Sequence, residues 1–421
     1  MVGSVLLVGC LLTGQADSTV DDDLALTVRG LVGQLGAAQL AEREAAEKQL
    51  IELGPKVLEL LPQISPWTPP ETRLRLGRIR QQLEQVAAES TARASLVTLR
   101  GQSLPLSEIL AAFEQQTGNP IVDFRRRFGH EVTDPALDVD FDRTPFWQAL
   151  DDVLDRAGLT VYPFGPERTI PVVARDDTQL PRSARGVYSG PFRIEPVQIA
   201  AVCDLRHPEN QSLMLTVEVV CEPRVKPIGV QQRIADLSAV DENGDPLAFD
   251  DSWVQLELDP TKGVLRVPMK LPPRSVEKIA RLKGRLTAMI PGRVETFRFD
   301  GLIDAVNVER RIGGATVTLV RARRNNAVWE VGIRVRLDEA GNALESHRGW
   351  IYDNEAYLEG PDGKPIPYDS QDVTRQAENQ FGINYIFALD GPPEKHTFVY
   401  KTPGAIVSTG FDYEIKDVEL P

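Results

Sequence analysis

Between Val97 and Val173 the apolar positions pass from strand to helical spacing and back, and do so twice. Val97, Thr98 and Leu99 predict a short strand. After Ser103-Leu104-Pro105, the residues Leu106, Ile109, Leu110 and Phe113 fall at i, i+3, i+4 and i+7, which is one apolar face of a helix. Gly118 stands where a left-handed cap would end that helix, and Ile121-Val122-Asp123-Phe124 predicts the returning strand. The second passage begins with Leu137-Asp138-Val139-Asp140-Phe141, which alternates like a half-buried strand. Thr144 suits an N-cap and Pro145 the first helical position. Phe146, Leu150, Val153 and Leu154 mark the buried face, Gly158 stops the helix, and Leu159-Thr160-Val161-Tyr162 returns as a strand. Two βαβ units of equal length predict one small split α/β domain over 97–173.

On either side the period differs. Residues 24–90 read as helices: a charged amphipathic stretch from Glu42 to Leu53, a break at Gly54-Pro55, and an apolar run at Val57, Leu58, Leu60, Leu61 and Ile64. A loop holding Pro62, Pro66, Trp67, Pro69 and Pro70 follows, then a third helix with Leu76, Ile79, Leu83 and Val86 on one face. Residues 174–186 (ARDDTQLPRSARG) are polar with Pro and Gly and predict a linker. From Val187 onward alternation dominates, with Leu213, Leu215, Val217 and Val219 on one face and Val331, Ile333, Val335 and Leu337 on another. Asn243-Gly244 and Asp362-Gly363 supply hairpin turns. Val197 aligns with Val317, Leu213 with Val331, Pro246 with Pro365, Pro273 with Pro393 and Phe297 with Phe411, a repeat of roughly 120 residues. The fold class expected is multidomain: an N-terminal helical segment, a small split βαβ α/β domain, then two tandem all-β sandwich-like domains at 187–305 and 306–421.

Two stretches resemble known families. The run GQSLPLSEILAAFEQQTGNPIV, followed by LDVDFDRTPFWQALDDVLDRAGLTVYPFG, resembles the short N-terminal domain of secretins and TonB-dependent transducers. The features that carry the likeness are Leu104-Pro105-Leu106, Thr117-Gly118 and the run from Ala149-Leu150 to Gly158-Leu159, over about a fifth of the chain. In that family the domain docks other envelope proteins. Here no secretin or outer-membrane barrel follows and a helical segment precedes, so the resemblance implies a docking module and neither a pore nor a transporter. The stretch AEREAAEKQLIELGPKVLELLPQI, within 38–88, resembles a single HEAT-like helical hairpin. One such unit cannot bury its face alone, so it packs on its neighbour or on a partner. A helical spacer is the other reading.

Composition narrows the setting. Apolar residues make up 42 % of 421, ordinary for folded protein, and the length suits about three domains. A net charge of −14 argues against a nucleic-acid partner. Two basic runs, Arg73, Arg75, Arg78 and Arg80, and then Arg125, Arg126 and Arg127, read first as solvated faces or ion pairs and second as an anion-binding patch. Val5 to Leu12 is an apolar core too short to span a bilayer. The small residues Thr13-Gly14-Gln15-Ala16 follow, so 1–16 predicts a signal peptide, although no Lys or Arg precedes the core. Leu7-Val8-Gly9-Cys10 resembles a lipobox. Cys10 is therefore either a lipidation site or is removed with the signal. An exported chain, periplasmic, envelope-bound or extracellular, follows from this reading, with membrane contact only through a lipid anchor.

Candidate chemistry is sparse. Beyond Cys10 the thiols are Cys203 and Cys221, which suit a disulfide in an oxidising compartment or two free cysteines. A tight turn near residue 209 would set them about six positions apart, roughly 20 Å at strand spacing, whereas a disulfide needs Cα atoms within about 7 Å. His130, His207, His347 and His396 lie far apart and lack metal-ligand spacing. No GxSxG elbow, P-loop or GxGxxG occurs. Asp241-Glu242-Asn243-Gly244-Asp245 resembles a calcium loop but lacks the sixth-position Gly and distal Glu, and a hairpin turn explains it. Asp151-Asp152 is expected on the outer face of its helix. Trp253, Trp329, Trp350, Tyr352 and Tyr357 would serve as sandwich core or as a sugar-stacking face. No catalytic, cofactor or metal residue is assigned. The expectation is a non-enzymatic envelope protein that docks another envelope protein. A polysaccharide-binding protein with weak glycoside hydrolase activity is the alternative.

Overall fold

The structure is a computed structural model. It describes residues 16–421 except 63, 65–66, 167, 177, 183–184, 208, 251–254, 259–261, 293, 327, 338–347, 353, 378–379, 390 and 405. Among the described residues the chain is mostly β, in several sheets, with its α-helices in the N-terminal part. It divides into two compact units. One holds Ala88–Pro291, Ala340–Asn354 and Ile406–Pro421, and the other Met1–Ala87, Gly292–Glu339 and Glu355–Ala405.

The N-terminal helices are α1 (Ala16–Gln34), α2 (Leu40–Glu52) and α3 (Pro70–Thr91). Val28 and Leu31 of the first, Ala46 and Leu50 of the second, and Leu76, Ile79 and Leu83 of the third bury together, with Leu35 just after the first helix, Val57 and Leu58 from the connecting 3-10 turn (Pro55–Glu59), and Leu61 just beyond it. The basic run in α3 is spent within this layer. Arg75 is buried and pairs with Glu47 at 2.5 Å and Glu71 at 2.8 Å, Arg78 reaches Glu47 at 2.9 Å, and Arg80 donates to the carbonyls of Leu61 and Pro62.

The α/β module comprises β1 (Leu96–Pro105), α4 (Leu106–Thr117), β2 (Ile121–Asp123), β3 (Ala136–Pro145), α5 (Phe146–Arg156), β4 (Leu159–Val161) and β5 (Ile170–Ala174). β1 and β3 pair antiparallel, and β5 lies between β2 and β4. The buried helix faces are those the spacing marks: Leu106, Ile109 and Phe113 on α4, and Phe146, Leu150, Val153 and Leu154 on α5. Gly118 is left-handed at φ 68°, as a C-cap there requires. Two points differ from the sequence reading. Thr144 is not the N-cap, because it stays in the ladder opposite Val97, so α5 begins after Pro145. Strand β5, which the spacing did not mark, joins both halves of the second sheet.

The first β region contains β6 (Val187–Ser189), β7 (Phe192–Cys203), β8 (Gln211–Cys221), β9 (Gly229–Arg233), β10 (Ser238–Asp241), β11 (Pro246–Leu247), β12 (Gln255–Leu258), β13 (Lys262–Met269) and β14 (Lys278–Pro291). The second contains β15 (Val294–Phe299), β16 (Val306–Ile312), β17 (Ala315–Asn325), β18 (Val328–Leu337), β19 (Ala356–Glu359), β20 (Pro365–Pro367), β21 (Ser370–Ala377), β22 (Gln380–Phe387), β23 (Thr397–Pro403) and β24 (Ile406–Glu419). The repeat is visible in the sheets: β13-β8-β7-β6 in one copy answers β22-β18-β17-β16 in the other. Phe192, Ile194, Leu215 and Val267 from one sheet of the first copy share a core with Ile279, Leu282 and Leu286 from its second sheet, a sandwich-like arrangement.

The last strands are exchanged. β15 follows the first copy in sequence but pairs with β23, while β24 ends the second copy and pairs with β14. The boundary expected at 305/306 is therefore not the structural one. Both crossings fall on Pro-Gly, Pro291-Gly292 and Pro403-Gly404, where proline has no N–H with which to continue a ladder. The registers are reciprocal: Val294 stands opposite Pro403, and Ile406 opposite Pro291. Gly284 makes the exchange fit, since a Cβ there would lie 2.3 Å from the ring of Tyr413 on β24. That buried tyrosine donates its hydroxyl to Gln232 on β9 at 3.1 Å.

Candidate functional site

The α/β module and the first β region belong to one unit, and a buried polar network joins them. Asp151 on α5 accepts from Arg193 on β7 at 3.1 Å and from the Tyr188 hydroxyl at 3.0 Å. Both members of the ion pair are essentially without solvent. The Arg193 guanidinium lies 4.7 Å over the Trp147 ring, whose Nε1 donates to the carbonyl of Pro191. Burial and the adjacent Asp151 carboxylate push the Tyr188 hydroxyl well above the usual tyrosine range. A second cluster ties Glu222 to Ser95, Asn119 and Arg224. Asp151 is thus not on an outer face. Helix α5 is covered on two sides, and periodicity shows a helix only its nearer core. Nor is 174–186 a free linker: Ala174 ends β5, Arg175 pairs with Asp155 at 2.5 Å, and the Arg182 backbone N–H donates to Asp155.

The module also carries a group of packed aromatic rings at its surface. Phe128 packs on Tyr162 with ring centroids 4.7 Å apart, His130 stacks on Phe128 at 6.2 Å, and Phe164 meets Tyr162 edge-on at 5.7 Å. Phe128 is 43 % and Phe164 77 % exposed. The loop carrying Phe128 is pinned by Arg125, which is buried against Asp123 at 2.7 Å and donates to the Thr133 carbonyl. Those hydrogen bonds hold the Asp123 carboxyl below its ordinary range. Arg126 and Arg127, next to Phe128 in the chain, remain exposed, and Arg127 lies 5.1 Å over the buried Phe124 ring. Sequence reasoning did not select these aromatics. The available signal was that Phe128, Tyr162 and Phe164 fall in or beside loops, off every buried face.

The remaining candidates are dispersed. Cys203 is exposed, Cys221 is buried, and both thiols are free. Cys203 stands opposite Gln211 and Cys221 opposite Phe192, at the two ends of the β7–β8 hairpin and about 36 Å apart along the strand. The separation exceeds the sequence expectation because the turn centres near residue 207 rather than 209. Burial pushes the Cys221 thiol well up. His130 and His207 are exposed and His396 half-buried. No grouping of three or more metal-ligating side chains occurs among the described residues. Asp241 accepts backbone N–H bonds from Asn243 and Asp245, as a hairpin turn demands, and Glu242 accepts one from the Glu277 backbone. Trp329, Trp350, Tyr352 and Tyr357 are each at least half-buried. Cys10, the segment 1–15, Trp253 and His347 lie outside the described residues.

Neither a protein-family model nor a curated protein matches the chain. Among solved structures, the crystal structure of bovine butyrophilin matches at 9 % identity over 55 % of this chain and 100 % of that one. The TM-score is 0.16. No helix among the described residues is long and apolar enough to cross a membrane.

Proposed function

We propose that this chain is a non-enzymatic, exported envelope protein that docks another envelope protein through its α/β module. The observation that carries the reading is the pair of exposed rings, Phe128 and Phe164, packed on the half-buried Tyr162, with the exposed Arg126 and Arg127 preceding Phe128 in the chain. Aromatic and arginine side chains dominate the energetics of protein interfaces, and a pinned loop loses little entropy on binding. The two arginines select a partner segment with an apolar side chain flanked by carboxylates. The resemblance of 97–173 to the docking domain of secretins and TonB-dependent transducers supports the same role. In this reading the tandem sandwich-like regions act as spacer or second face, the HEAT-like helices as a further packing surface, and Cys10 as the anchor if it is lipidated. The polysaccharide alternative draws less support, because the described sandwich aromatics do not form an exposed row.

The test is capture from an envelope extract with the full chain, beside Phe128→Ala/Phe164→Ala and Arg126→Glu/Arg127→Glu versions whose circular dichroism matches it. A protein retained by the parent and lost by both versions is the expected result. Equal retention by all three, or retention of cell-wall polysaccharide alone, would remove the docking reading.

A further inference from the structure

The outer face of the β17–β18–β22–β21 sheet holds a concavity of about 300 Å³ with an arginine rim. Two β-bulges shape it. One inserts Val320 between Leu319 and Arg321, and the other inserts Thr374 between Val373 and Arg375. Each bulge faces a glycine: Arg321 stands opposite Gly332, and Arg375 opposite Gly382. A Cβ on Gly332 would lie 2.8 Å from Asn384 Oδ1, and one on Gly382 2.6 Å from the Thr374 hydroxyl, so both glycines keep the floor open. Bulges re-aim side chains and are enriched beside functional sites.

Charge collects around this floor. Arg323 is neutralised by Glu330 at 2.6 Å, and Glu330 also accepts from Asn325. Among the described residues, Arg321, Arg334 and Arg375 have no carboxylate within ion-pair distance, in a chain whose net charge is −14. Arg321 feels the Glu330 carboxylate, which also lines the recess and is already bonded to Arg323 and Asn325, so the guanidinium groups exceed the acids around a recess that also offers the Thr374 hydroxyl and the Asn384 amide. Guanidinium forks match the paired oxygens of phosphate, sulfate and carboxylate. The same face of the first copy is taken up differently: there Arg193 is covered by the α/β module.

We propose that this bulge-framed recess binds a multiply charged oxyanion of small-molecule size, a phosphoryl, sulfuryl or clustered-carboxylate group, held by Arg321, Arg334 and Arg375. Inorganic pyrophosphate, sulfate and tricarballylate are titrated calorimetrically into the full chain at low ionic strength, which separates the three sources of the charge. The expected result is saturable binding of at least one, weakened about tenfold by Arg334→Gln and again by Arg375→Gln, since each removes charge-assisted hydrogen bonds. Arg334→Lys, which keeps the charge without the fork, falls between, and Arg206→Gln on the β7–β8 turn, in the other compact unit, changes nothing. Backbone amide shifts on binding to the parent chain concentrate at 320–323, 332–334 and 374–384, a readout that needs no variant. Absence of saturable binding, equal binding by the arginine variants, or shifts elsewhere would overturn the proposal.

Discussion

Asp151 and Arg193 meet at 3.1 Å with both side chains sealed from solvent, one on a helix of the α/β module and the other on a strand of the neighbouring sheet. Such a pair gains little over well-packed apolar residues, but taking Asp151 away leaves the buried Arg193 only its longer contact to Glu218, at 3.5 Å, and strips the Tyr188 hydroxyl of its acceptor. Asp151→Ala should therefore cost about 3–5 kcal/mol and lower the melting temperature of the unit. Asp151→Leu combined with Arg193→Met should cost much less than the two changes added together. A double-mutant cycle by denaturant unfolding measures the difference.

The exchange of β15 and β24 makes a prediction about truncation. A fragment ending at residue 305 keeps the whole sequence repeat of the first copy but lacks the strand that pairs along β14 from Lys278 to Pro291. It should not unfold cooperatively, and adding a peptide of residues 406–421 should restore a transition. In the full chain, Tyr413→Ala should cost about 3–5 kcal/mol, as other large aromatic truncations in cores do. Hydrogen exchange should then accelerate in β9 and β14 and stay slow in β17 and β18.

The two thiols should differ in reactivity. In a chain carrying Cys10→Ser, Ellman's reagent at mildly alkaline pH should titrate one thiol, Cys203, in the native state and two after denaturation. Cys221 is buried with its thiolate disfavoured. A single slow phase for both thiols would contradict the burial.

Asp123 supplies a pH dependence with a defined sign. Its folded pKa lies below its ordinary value of 3.8 because Arg125 donates to the carboxylate. Its stabilisation is complete above the unfolded value and is lost as pH falls through the lower, folded one. The contribution is about 0.5–1 kcal/mol after solvent screening. Nuclear Overhauser contacts between Phe128 and Tyr162 should persist to about the ordinary Asp value and fade below it. In Asp123→Asn they should be weaker and show no such step.

By itself the sequence determined the local elements wherever one side of a segment faces one core. The i, i+3, i+4, i+7 faces of α4 and α5, the alternation of β8 and β18, and the repeat that relates β7 to β17 were all legible, because period and burial coincide there. Tertiary structure decided the rest. Asp151 reads as a surface acid because a second covering layer has no periodic signature. β15 and β24 read as members of their own repeats because strand pairing is chosen by available edges, and a Pro-Gly step lets the chain leave one sheet for another without altering its pattern. The arginine recess stayed hidden for a related reason. Arg321, Arg334 and Arg375 sit on three strands, and only two bulges and two facing glycines, set by register, turn them toward one space.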